Sequence, residues 1–190
     1  MGKFFVGLLL VFLILGGAAY YIYTTTGYKF GIDSTILSHG TINISNQEFV
    51  NNGKIPSSFT CDGENLSPTF LLQHVPSTAK SLAIILEDTD SAPKYFTHWL
   101  AFNIGPSTET IEASKVLGSA TVGTNDFGNT EYDGPCPPSG VSHKYYFRVY
   151  ALDTMLDLTS SATRSSFNTA INGHVITTGE IGAYYTKVAN

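Results

Sequence analysis

A chain of 190 residues with 10 basic and 15 acidic side chains, a formal charge of -5 at pH 7 and 43% hydrophobic residues has enough apolar material to bury a full core as one domain. Its few Lys and Arg residues form no run, which excludes nucleic acid as a partner, since that affinity comes from clustered basic groups on phosphates. Only two cysteines occur and they lie far apart in sequence, which excludes a zinc knuckle.

The first element is an uncharged apolar run from Phe4 to Tyr23, about twenty residues, the length that crosses a bilayer as a helix. Lys3 precedes it. The run reads either as a signal peptide cut after Gly17, Ala18 and Ala19 or as an uncleaved transmembrane anchor with Tyr20, Tyr21 and Tyr23 at the interface, and the anchor is the favoured reading. Both leave Lys3 cytoplasmic and export the rest. Residues 1–23 are therefore expected to be an anchor or signal segment, 24–40 a tether rich in Thr, Gly and Ser, and 41–190 the globular domain, membrane-anchored and extracytoplasmic or else secreted.

Ordered structure is expected from about Thr41. Ile42, Ile44 and Phe49 are spaced as in a first strand, and Asn51-Asn52-Gly53 is a turn. The segment from Phe59 to Pro68 carries the Asp-Gly and Ser-Pro signatures of a compact loop. Phe70 to Leu72 is a short strand, and Ser81 to Leu86 is an apolar strand of the fully buried type. It runs into Glu87-Asp88-Thr89-Asp90, where three crowded carboxylates need partners nearby. Trp99 to Ile104 is the next strand, introduced by Thr97-His98, so that His98 and the carboxylates stand at one end of neighbouring strands.

Gly105 to Gly128 is polar and weakly patterned, a long surface excursion. Tyr132 to Asp153 has two halves. In the first, three prolines and two glycines rule out regular structure. In the second, Tyr145 to Leu152 is aromatic, β-branched or apolar except for Arg148, which makes a strand with a buried face. His143, Lys144 and Tyr145 sit at the junction of this stiff loop and strand, where a rigid scaffold holds polar side chains for recognition. Ser160 to Gly173 holds one short helix, and Val175 to Val188 closes the chain as a strand. Regular short strands with a single late helix imply a mostly β sandwich. In an exported domain Cys61 and Cys136 are a disulfide candidate, with two unrelated thiols as the alternative.

Three stretches taken together resemble one family. They are Cys61-Asp62-Gly63-Glu64-Asn65-Leu66-Ser67-Pro68, then Asp88-Thr89-Asp90-Ser91-Ala92-Pro93 with His98-Trp99, and Gly134-Pro135-Cys136-Pro137-Pro138-Ser139-Gly140 with His143-Lys144-Tyr145. Their order and spacing are similar to those of the phosphatidylethanolamine-binding proteins, or Raf kinase inhibitor-like proteins, of the bacterial and archaeal branch. The resemblance implies a two-sheet β-sandwich with a small pocket for an anion such as phosphate or a phospholipid head group. It places Asp88, His98, His143 and Tyr145 around that pocket, with Cys136, Pro137 and Pro138 as one wall. Two departures stand out: Thr89 takes the place of the box proline, and Lys144 takes the place of an Arg, which keeps charge and loses the bidentate fork.

Chemically, two imidazoles and a phenol suit an oxyanion, and Asp88 is expected to orient one histidine through its ring N–H. The resulting expectation is a non-enzymatic binding protein with no cofactor and no metal, whose partners are a small anion or lipid head group, the membrane through its N-terminal helix, and an unidentified protein that it inhibits or regulates. The alternative is a hydrolase or a metal site built from Ser142, His143, His98 and Asp88. Against the hydrolase, Gly-x-Ser-x-Gly is absent and no spacing pairs a nucleophile with a base.

Overall fold

The computed structural model describes residues 41–92, 95–112, 118 and 120–188. The apolar run of residues 4–23 and the tether lie outside the described residues. Among those described, no helix is long and apolar enough to cross a membrane.

The described residues form eight strands, one α-helix and a single 3-10 turn at Ser57–Phe59: β1 Asn43–Ser45, β2 Phe70–Gln73, β3 Ser81–Asp88, β4 Phe96–Ile104, β5 Thr110–Ile111, β6 Thr121–Val122, β7 Ser142–Leu152, α1 Arg164–Ile171 and β8 Val175–Thr186. They form a three-stranded sheet, β1-β2-β5, and a five-stranded sheet, β6-β4-β3-β7-β8, with every pairing antiparallel. Alternate residues of a strand face opposite sides of its sheet. Leu82, Ile84 and Leu86 of β3 accordingly join Phe147, Val149, Phe70 and Leu72 in the core between the two sheets, while Ala83 and Ile85 join Leu100, Phe102 and Phe167 in a second core beneath α1. Because β3 is covered on both faces, every one of its residues is buried, which explains the unbroken apolar run that marks it in the sequence.

The helix begins at Thr163, whose side chain accepts from Ser166 N–H while the Ser166 hydroxyl accepts from Thr163 N–H, a reciprocal cap that fixes its start. Its Phe167 and Ile171 supply the lid of the second core.

Several boundaries differ from the sequence expectation for identifiable reasons. β3 continues past Leu86 through Glu87 and Asp88, and β4 starts at Phe96 rather than Trp99. The polar residues at this end are held by partners that are remote in sequence. The excursion from Gly105 to Gly128 contains the two-residue strands β5 and β6, too short to show periodicity. Phe49 is not part of the first strand. Its N–H is instead bonded by the Asn46 side chain, and its ring packs on Phe59, Phe70 and Phe147.

Candidate functional site

The three carboxylates that crowd the end of β3 are separated by the sheet itself. Glu87, fully buried, points to the helix side, where it pairs with Arg148 of β7 and, at 2.5 Å, with Arg164 of α1. Arg148 also donates to Glu180 of β8 at 2.8 Å. Asp88, one residue on, lies on the other face. Asp90 is engaged by the Lys144 N–H at 2.9 Å. Alternation along one strand thus removes most of the repulsion the sequence implied.

Asp88 is the register partner of Tyr145 on β7, and Tyr145 and His143, two residues apart, share a face. His143 Nδ1 lies 2.7 Å from Asp88 Oδ2. The other carboxylate oxygen accepts from the N–H groups of Asp90 and Ser91 at 2.9 and 3.0 Å, closing a turn that fixes Asp88 despite Thr89 in place of proline.

His98 arrives by a different device. Between Leu86 and Glu87 the β3–β4 register slips, with Leu86 opposite Trp99 and Glu87 opposite Thr97, so His98 is the extra residue of a bulge. A bulge re-aims a side chain. Here it sets the His98 ring 5.4 Å from the Tyr145 ring, edge to face, while the His143 ring stacks at 6.4 Å from the same phenol. Tyr145 therefore touches both imidazoles. Phe96 and Phe127 close the far side of His98 at 5.2 and 5.3 Å.

The proline-rich loop holds His98 from behind. His98 Nδ1 donates to the carbonyls of Asp133 and Gly134 at 2.9 and 3.1 Å. Gly134 is needed at that point because a Cβ there would collide with the Phe59 carbonyl and the Asn65 side chain, which accepts from Gly134 N–H at 2.7 Å. Cys61 and Cys136 are joined as a disulfide with Cα atoms 5.4 Å apart, and Cys61 N–H donates to Pro135 O at 3.2 Å. The Asp-Gly loop and the proline-rich loop thus form one clamped unit behind the histidine.

Burial pulls the His98 imidazole below its ordinary value, more strongly than its two carbonyl partners and the nearby Asp88 and Asp133 raise it. The ring is neutral at pH 7. Tyr145 is fully buried, and desolvation, together with the Asp88 carboxylate, pushes its phenol far above its ordinary value. Asp88 and the Cys136 N–H lie close enough to bear on it, yet the Tyr145 Oη makes no hydrogen bond of regular geometry with a described residue.

Of the residues expected in the site, Asp88, His98, His143 and Tyr145 come together. Cys136 and Pro138 are exposed and Pro137 is buried, and of the three only the Cys136 N–H reaches the phenol. Lys144 stands on the opposite face, its Nζ over the rings of Tyr146 and Tyr184 at 4.9 and 5.3 Å, where the Tyr146 hydroxyl helps to raise its pKa. Ser142 is exposed and precedes His143 on the same strand, so alternation turns it away from that ring. Among the described residues no three His, Cys, Asp or Glu side chains are grouped to hold a metal. Phe96 and Phe127 were missed by sequence reasoning. Phe127, an aromatic between turn residues in Asn125-Asp126-Phe127-Gly128, was the one available signal. A groove of about 550 Å³ along β2 and the turn before β5, lined by His74, Gln73 and Glu109 among others, shares none of these residues.

Fold and cluster together define a two-sheet β protein with a carboxylate, two imidazoles and a phenol gathered at one end of its larger sheet. The family model for phosphatidylethanolamine-binding protein matches residues 45–186, and the chain belongs to that family, in its bacterial and archaeal branch. It is 43% identical over 151 residues to a UPF0098 protein of Methanothermobacter thermautotrophicus, covering 77% of this chain and 99% of that one. Among solved structures it is similar to a phosphatidylethanolamine-binding protein homolog from Chlamydia trachomatis, with 33% identity, a TM-score of 0.73, and 77% and 98% of the two chains covered. It is also similar to E. coli YbcL, described as a new member of the mammalian family, with 27% identity, a TM-score of 0.73, and 77% and 99% covered.

Proposed function

We propose that this chain is a non-enzymatic binding protein whose Asp88, His98, His143 and Tyr145 take a small anion of the phosphate or phospholipid head-group type, held at a membrane by residues 4–23 with the domain exported. The observation that carries the reading is the Tyr145 Oη, a protonated, fully buried hydroxyl between two imidazoles with no regular hydrogen-bond partner of its own. Buried donors are almost always satisfied, and an unsatisfied one costs about 1–3 kcal/mol, so a ligand oxygen is its natural partner. Asp88 supports the reading by orientation rather than by contact. With its carboxylate on His143 Nδ1, a proton added to that ring goes to Nε2 and makes it a donor toward an anion.

The test is a thermal shift screen of the full-length chain against phosphate, phosphoethanolamine and acetate. Bound ligand raises apparent stability by about 2.7 kcal/mol at a hundred times Kd. A rise in Tm is expected with phosphate, larger at pH 6 than at pH 8. If none of the three anions shifts the transition at either pH, the anion reading is wrong. Membrane fractionation of the full chain beside one lacking residues 1–23 tests the tether: loss of the membrane-bound pool in the shortened chain is expected, and equal distribution contradicts it.

A further inference from the structure

The hydrogen-bond geometry narrows the anion reading, on which this inference rests. His98 Nδ1 faces two backbone carbonyls, which accept only, so the proton of the neutral ring is fixed there and Nε2 is left as a lone pair. His143 Nδ1 faces the Asp88 carboxylate, which fixes its proton in the same way and again leaves Nε2 as an acceptor while the ring is neutral. Neither Nε2 has a hydrogen-bond partner among the described residues. The titratable groups facing the two rings are Asp88 from β3, Tyr145 from β7 and Asp133 from the proline-rich loop. The cluster thus offers one hydroxyl donor, Tyr145, beside the Asp88 carboxylate, and at His98 an imidazole Nε2 that can only accept. A fully deprotonated oxyanion would meet a lone pair with a lone pair at His98 Nε2.

We propose that the cluster selects a tetrahedral oxyanion that still carries a proton, namely hydrogen phosphate or the protonated phosphate of a monoester, and rejects sulfate and phosphodiesters, which have no proton to give. In such a complex one P–O–H donates to an imidazole Nε2 while an unprotonated oxygen accepts from the Tyr145 hydroxyl. Sulfate matches hydrogen phosphate in charge and shape and differs by that proton, so the discrimination is chemical rather than steric. The free ion and the lipid-borne group share the phosphate and are separated by the same criterion, because the phosphate that joins glycerol to the head group of an intact phospholipid is a diester, whereas free phosphoethanolamine is a monoester.

The experiment is calorimetric titration of the full-length chain at pH 7 with inorganic phosphate, methyl phosphate, dimethyl phosphate and sulfate, repeated at pH 5.5 and pH 8. Phosphate is expected to bind roughly tenfold or more tighter than sulfate and dimethyl phosphate at pH 7, the size of one lost hydrogen bond to a buried polar group. Methyl phosphate, whose second pKa is about 6 as for other monoesters, is expected to bind at pH 5.5 and to fade toward pH 8. The sulfate arm over the same range measures what imidazole protonation alone adds. Sulfate or dimethyl phosphate binding within about threefold of phosphate at pH 7 overturns the selectivity while leaving the anion reading intact, whereas no binding in any arm removes both. In His98→Gln the amide can donate where Nε2 could not, so sulfate affinity should rise relative to phosphate. An unchanged ratio in the folded variant overturns the role given to His98, and the wild-type ratio decides the proposal if that variant does not fold.

Discussion

At the scale of single residues, the Tyr145 hydroxyl separates binding from folding. Because its contacts with Asp88 and the Cys136 N–H fall short of regular geometry, Tyr145→Phe gives up a desolvated hydroxyl and little hydrogen bonding. Thermal unfolding without ligand should be unchanged or slightly raised, whereas phosphate affinity should fall roughly tenfold, since bonds to charged partners contribute about 1.5–3 kcal/mol. A variant that loses stability and keeps affinity would mean that the phenol is merely structural. His98 makes a second, pH-dependent prediction. Its folded-state pKa lies below the unfolded value of about 6.5, so below neutrality the unfolded chain binds more protons than the native one and stability falls as pH falls through that region. Urea unfolding between pH 8 and pH 5 should show this slope, and His98→Gln should flatten it. His174 offers a built-in contrast: it lies 2.8 Å from Asp153, much as His143 lies beside Asp88, but both partners are about half exposed, so removing the pair should change stability by no more than about 1 kcal/mol.

At the scale of elements, the end of β3 works because its two faces do different things. Glu87 joins β3 to β7 and α1 through Arg148 and Arg164, while Asp88 serves the cluster on the opposite face. Glu87→Ala would take the carboxylate from Arg164 and leave Arg148 with Glu180 alone. A loss of about 3 kcal/mol is expected by chemical denaturation, toward the lower end for buried pairs because side-chain exposures of 24% for Arg148 and 18% for Arg164 leave them some water. Phosphate binding by the folded variant should persist at close to its wild-type strength, because the defect lies across the sheet. The clamp between the two loops is likewise measurable. The Cys61–Cys136 bond spans 75 residues, so reduction should cost about 4.5 kcal/mol in the chain-entropy account. Denaturation with and without reductant checks this, and equal midpoints would show that the backbone and side-chain bonds to Pro135, Asn65 and Phe59 hold the loops without it.

For the molecule as a whole, what was readable in the sequence follows from which physical constraints are local. The run from Ser81 to Leu86 announces a strand buried on both faces because burial acts residue by residue. The extension through Glu87 and Asp88 was hidden because the side chains that stabilise those carboxylates come from β7 and α1, more than fifty residues away. The late helix was readable from its apolar spacing and its Gly173 stop. The first strand was readable from Ile42 and Ile44, though not its end before Phe49, whereas β5 and β6 span two residues each and owe their existence to pairing partners rather than to any pattern of their own. In the site, the grouping of Asp88, His98, His143 and Tyr145 was expected from the resemblance of three boxes to one family; the β3–β7 register that pairs Asp88 with Tyr145 and the β3–β4 bulge that turns His98 toward them are properties of strand pairing and have no mark in the sequence.

The central claim is that the two imidazoles serve one ligand. Side-chain nitrogen NMR of the full-length chain carrying labelled histidine, recorded during a phosphate titration at pH 7, tests it most directly. The resonances of His98 and His143 are predicted to move together with a single half-saturation concentration, while those of His74 and His174 stay still. Movement of only one of the two rings, or of both with different midpoints, would contradict a shared site.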